Sequence, residues 1–132
     1  MTTTQLVNNT LSAEATQWVM DKYKAVDARD HDAYAAFLAD DCKLQFGNNP
    51  VVAGEAAMLA GVDNFWHSIH GLNHNFINML GSDDLMVLEA MIDYTRADDK
   101  VVAIPCVTII ERNKAGEASF IRIFIDLLPV FA

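Results

Sequence analysis

Residues 85–126 read LMVLEAMIDYTRADDKVVAIPCVTIIERNKAGEASFIRIFID. Three long runs rich in Val, Ile, Leu, Thr and Phe are separated by ADDK and NKAG, breaks of hairpin length made of turn residues. Period-two alternation with such breaks predicts antiparallel strands joined by hairpins. A fourth run lies upstream, beyond GSDD, so strands are expected over 72–80, 85–96, 101–112 and 117–128. Everything before residue 70 reads differently. Ser12 can cap a first helix, with Glu14 in its first turn where a negative charge suits the helix dipole. Ala15, Trp18, Val19, Lys22, Tyr23 and Val26 then follow a 3.6-residue period. Asp30 or Asp32 can cap a short second helix carrying Tyr34, Phe37 and Leu38, ended by Asp40-Asp41. CKLQF (42–46) alternates like a strand and GNNP (47–50) is a turn. After Gly54 a third helix directs Met58, Val62, Phe65, Trp66 and Ile69 inward. Helices first and a meander afterwards define an α+β fold, a curved antiparallel sheet with three N-terminal helices on its concave side.

Bulk properties narrow the function. The 132 residues suit one domain, 1–132, large enough to bury a core without staples. Hydrophobic residues make up 52% and charged residues 20%, which describes a folded chain and not a disordered one. The net charge of −9, with nine scattered Lys and Arg, argues against nucleic acid and anionic membrane as partners. Cys42 and Cys106 sit in apolar strand-like stretches and read as reduced core thiols of a cytoplasmic protein. MTTTQLVNNT lacks the features of a signal peptide, and no apolar run approaches the roughly 20 residues needed to span a bilayer.

Two features call for an explanation. VVAIPCVTII (101–110) is apolar on both parities, where a sheet with one wet face would alternate. A second copy covering the outer sheet face accounts for this, so a homodimer packed sheet to sheet is expected. The second feature is Asp126, placed between FIRIFI and LLPVF. An unpaired ionised carboxylate in an apolar core is very costly, so such a group is normally paired, hydrogen-bonded or protonated.

The order of FLADDCKLQF (37–46), VVAGEAAM (51–58), HNF (74–76), DYTRADDKVVAIP (93–105) and GEASFIRIFID (116–126) resembles the nuclear-transport-factor-2-like superfamily, and within it the SnoaL-like polyketide cyclase group. The resemblance implies a cone whose sheet wraps the helices around a deep apolar pocket. Members include cyclases, isomerases, dehydratases, epoxide hydrolases and non-catalytic binders, so the fold alone does not give the function. It implies Asp126 as the pocket acid/base at the end of the last strand, with His74 near the pocket mouth as its partner. Trp66 and Met79 are expected to line the pocket, together with Tyr23, near the cone axis, and Phe46 and Asn48 are expected to contact the substrate as well.

Similar limonene epoxide hydrolases use a Tyr, an Asn and an Arg–Asp pair. Here Asn48 falls at the Asn position, Phe46 at the Tyr position, Asp93 at the Asp position and Met91 at the Arg position, so epoxide hydrolysis lacks its matched groups. Asp93 itself reads as an outward-facing acid. In similar ketosteroid isomerases the general base falls at Phe46, the oxyanion-hole acid near Thr108 and the helix-one Tyr near Lys22, beside Tyr23. HSIHGLNH (67–74) matches no zinc-ligand spacing, so no metal and no cofactor are expected. The expectation is a protein that binds a small, apolar, oxygenated molecule and acts on it by cofactor-free acid/base catalysis: cyclisation, isomerisation or dehydration. The alternative is a non-catalytic ligand-binding or dimeric scaffold domain of the same fold.

Overall fold

The computed structural model describes residues 1–132. The chain runs β1 (Asn8–Asn9), α1 (Ala13–Asp27), α2 (His31–Ala35), β2 (Leu38–Phe46), β3 (Val52–Ala53), α3 (Glu55–His67), β4 (Gly71–Gly81), β5 (Leu85–Thr95), β6 (Val101–Arg112), β7 (Ala118–Ile125) and α4 (Leu128–Phe131). The strands form one seven-stranded sheet in the order β1-β4-β5-β6-β7-β2-β3. The meander β4 to β7 is antiparallel, whereas β2 joins β7, and β1 joins β4, in parallel. The sheet curves around the helices, as the α+β reading expects.

Local signals explain the elements. Ser12 caps α1, its hydroxyl accepting from the Ala15 N–H, and Asp30 caps α2 through the Ala33 N–H. The buried residues of α1 are Ala15, Val19, Lys22, Tyr23, Ala25 and Val26, so the expected face holds with a lysine in its middle, while Trp18 on its edge is half-buried. α2 stops at Ala35, and Asp40 and Asp41 already belong to β2, so they do not end the helix. In the β4–β5 hairpin, Gly81 holds φ +101°, and a Cβ there would collide with the Leu85 carbonyl, so only glycine fits.

One irregularity matters for the site. The β4–β5 register slips between Phe76 and Asn78. This bulge flips the parity of the strand, so Met79 joins His74 and Phe76 on the buried face while Asn78 faces out and bonds Glu89. Without the slip, strict alternation along β4 would put Asn78, and not Met79, on the face of His74.

The last strand is shorter than alternation suggests. β7 ends at Ile125, and the chain turns through Asp126 and Leu127 into α4. Inside the cone, α1, α3 and the concave sheet enclose a main core that includes Val19, Met58, Phe76, Met79, Leu88 and Ile110. A smaller cluster of Ile69, Ile92, Tyr94, Ile104, Cys106 and Val130 fills the other end. Each fully buried large side chain contributes about 1.5–3 kcal/mol. The cysteines are free and buried.

Candidate functional site

Between the helices and the sheet lies a cavity of about 340 Å³. Of its 25 lining residues 19 are hydrophobic, so an occupant must be largely apolar. The polar atoms are few and come from different elements: Lys22 and Tyr23 from α1, Tyr34 from α2, His74 from β4, Tyr94 from β5, Cys106 and Thr108 from β6, and Asn49 from the β2–β3 turn.

His74 is buried and held by Asp27, in the last turn of α1. The Nδ1···Oδ1 distance is 2.6 Å, and the His74 backbone N–H donates to Asp27 Oδ2 at 2.9 Å. A carboxylate at a helix C-terminus opposes the helix dipole and needs compensation. Here β4 supplies it, and the Met1 amine adds a contact to Oδ2 at 2.9 Å. Burial alone would raise the Asp27 carboxyl, but the His74 hydrogen bonds hold it below its ordinary value. Burial lowers the imidazole of His74, and this outweighs the raising effect of Asp27. Near neutral pH the pair is therefore an ionised carboxylate accepting a proton-bearing Nδ1 from a neutral ring. That tautomer leaves a lone pair on Nε2.

Tyr23 packs against this imidazole, with ring centroids 4.6 Å apart, and against Phe76 at 4.8 Å. Its phenol is raised well above the ordinary value by burial first, and it interacts with Thr108. Lys22 is 2% exposed, and its ammonium lies 4.1 Å from the Tyr23 ring centroid and 5.2 Å from that of Tyr34. Burial brings it down to about 7, against the opposing charges of Cys42, Asp27 and Cys106. No side-chain nitrogen or oxygen is both sealed from solvent-sized space and unpartnered. His74 Nε2 and Lys22 Nζ make no hydrogen bond to the protein, so both open onto the cavity.

The predicted site residues divide into two groups. Trp66, Tyr23, Phe46 and His74 line the cavity. So do Lys22 and Thr108, two positions singled out by the isomerase comparison. Three expectations are corrected. Asp126 is exposed outside the cavity, and its Oδ1 accepts from the Leu128 N–H at 3.0 Å, turning the chain into α4. The carboxylate escapes the cost of burial because the strand ends before it. Met79 is fully buried on the same face of β4 as His74, but in the main core and not in the cavity wall. Asn48 is exposed in the turn, and its neighbour Asn49 reaches the cavity instead.

Asp93 lies on the outer face of β5, where it accepts from Asn75 Nδ2 at 3.0 Å. His67, His70 and His74 each turn to a different acceptor: the Asp63 carbonyl, Asp99 and Asp27. The residue that sequence reasoning missed is Asp27. Its signal was an acid four residues after Tyr23, at the end of a helix where the dipole disfavours negative charge.

Comparison with known proteins agrees with this architecture. The chain resembles a solved SnoaL-like polyketide cyclase, so named, from Jannaschia sp. CCS1, with TM-score 0.78 and 19% identity over 93% of this chain and 92% of that one. It also resembles an NTF2-like protein of unknown function from Burkholderia pseudomallei, with TM-score 0.80 and 16% identity over 92% and 100%. An LEH-like epoxide hydrolase from M. tuberculosis aligns with TM-score 0.74 and 16% identity over 91% and 88%. At these identities the likeness concerns the fold. Among curated proteins none matches the sequence. The profile of the SnoaL-like domain matches residues 19–119, spanning α1 to β7, and the chain belongs to that family.

Proposed function

We propose that the cavity binds a small, largely apolar molecule bearing a carbonyl group, and that His74 moves a proton at the carbon beside that carbonyl without a cofactor. The observation that carries this reading is the 2.6 Å His74–Asp27 hydrogen bond in the wall of an apolar cavity. It fixes the tautomer whose Nε2 lone pair can accept a proton, and Asp27 then stabilises the imidazolium. Proton removal next to a carbonyl is the step shared by isomerisation, dehydration and cyclisation. The role first expected of Asp126 passes to this pair.

The test is exchange of the α-protons of 2-tetralone in D₂O, followed by NMR. The wild-type protein is expected to accelerate exchange at least tenfold over buffer, and His74→Gln to return it to background. Equal rates for the two proteins would defeat the assignment. A second reading, ligand holding without turnover, draws on the His74 backbone N–H bond to Asp27, because the same carboxylate stitches β4 to α1. On that reading 2-tetralone binds and its exchange stays at the buffer rate.

The homodimer belongs to the same proposal. On the outer face Met91 lies beside Pro105, Val87 beside Ile109 and Val107 beside Phe124, which is 55% exposed. This apolar stripe supports sheet-to-sheet packing of two copies. Light scattering is expected to give twice the chain mass for the wild type and the single-chain mass for Val107→Glu. A wild-type monomer would refute it.

A further inference from the structure

We propose that Lys22 is a nucleophilic amine that condenses with the carbonyl group of a ligand in the cavity to form an imine. The proposal rests on the reading of the cavity as a carbonyl-binding site. The other lysines, Lys24, Lys43, Lys100 and Lys114, are all exposed, whereas Lys22 occupies the core stripe of α1. Its ammonium takes part in none of the ion pairs of the fold and rests against two tyrosine faces. The two tyrosine faces only partly offset the cost of burying an amine there, since burial is the dominant effect on its charge. A methionine would fill the same volume without the desolvation cost of a charge. The nitrogen makes no hydrogen bond to the protein and is not sealed in the core; it lines a cavity large enough for a small aldehyde or ketone.

Charge regulation suits the chemistry. The groups around the amine are Asp27 and Tyr23 of α1, Tyr34 of α2, Cys42 of β2, His74 of β4 and Cys106 of β6. Burial outweighs the carboxylate and the thiols and brings the amine to about 7. Near pH 7 it therefore holds on the order of a thousandfold more neutral form than an exposed lysine. A desolvated lysine of this kind is an activated nucleophile.

In the step itself, the Nζ lone pair attacks the carbonyl carbon, a C–N bond forms, and the carbonyl oxygen takes up the proton lost by nitrogen. The C–O bond then breaks and the hydroxyl leaves as water with the second proton of the nitrogen, whose lone pair closes C=N. One carbonyl and one amine become one imine and one water, with no change of oxidation state. A protonated imine withdraws electrons more strongly than the carbonyl it replaces. The adjacent C–H becomes more acidic toward His74, which lines the same cavity.

The test is reductive trapping. The protein is incubated at pH 7 with benzaldehyde or hexanal and sodium cyanoborohydride, digested, and mapped by mass spectrometry. The expected result is a secondary-amine adduct on Lys22 at least tenfold more abundant than on any exposed lysine. It should be lost in Lys22→Met and in Lys22→Arg, which keeps a cation but forms no imine. Label confined to the exposed lysines overturns the proposal. Binding of benzyl alcohol and 1-hexanol, read by Trp66 fluorescence in a Trp18→Phe background, separates the two readings. If the alcohols bind but Lys22 is not labelled, the cavity stands and the nucleophile falls. If neither occurs, both fall.

Discussion

The seam between α1 and β4 and the end of β7 each hold one carboxylate among apolar neighbours, and the fold treats the two in opposite ways. Asp27 is kept inside, where it accepts a backbone N–H and an imidazole from β4. Asp126 is put outside, where it accepts the Leu128 N–H and starts α4. Both arrangements satisfy the acid, but only the first transmits its charge to a group facing the cavity. An apolar sequence around an acid therefore signals that the acid needs a partner. What chemistry follows depends on which partner the fold provides.

The largest effect that should separate the two acids is on stability. Asp27→Ala leaves His74 buried without its acceptor, and breaking such a pair is expected to cost about 3–5 kcal/mol in urea denaturation. Asp126→Ala removes one exposed side-chain hydrogen bond to the Leu128 N–H and should cost about 0.5–1.5 kcal/mol, with α-proton exchange of 2-tetralone unchanged. Comparable losses for both would erase the distinction.

Lys22 sharpens the contrast from the other side, as a buried charge with no carboxylate of its own. Its folded value of about 7 lies below the ordinary lysine value of 10.5. Between those two values the unfolded chain binds more protons than the folded one, so stability climbs as pH rises through that window. The full penalty applies below pH 7. Lys22→Met is therefore expected to stabilise the fold by a few kcal/mol at pH 6, with the gain fading toward about pH 10.5. A gain independent of pH would mean that the amine is not the source.

On the acid side the sign is the same. His74 and Asp27 are both held below their ordinary values, so their contributions are lost as pH falls below the ordinary histidine range and then below the ordinary carboxylate range. Asp27→Asn should flatten the lower part of that decline.

Much of this was legible in the sequence. Alternation and turn residues located the four meander strands, and the 3.6-residue period found the buried face of α1, Lys22 included. His74 came from the family resemblance, as a residue near the pocket mouth, and not from the strand pattern. What alternation could not locate was a bulge or a strand end. The slip at Phe76–Asn78 reverses the parity of Met79, and β7 stops one residue short of Asp126. Both are set by pairing with neighbouring strands and by the turn that follows. Asp27 was hidden for a related reason: its partner lies 47 residues away, and no local period joins a helix end to a strand.

The central claim is that Asp27 holds His74 as a neutral ring with its proton on Nδ1 and its lone pair toward the cavity. Long-range ¹H–¹⁵N correlation spectra of the ¹⁵N-histidine-labelled protein at pH 7 test it directly. The account predicts a protonated Nδ1 and an unprotonated Nε2 for His74, with the ring gaining its second proton only below the ordinary histidine pKa. An Nε2–H tautomer, or an imidazolium already formed at pH 7, would contradict it.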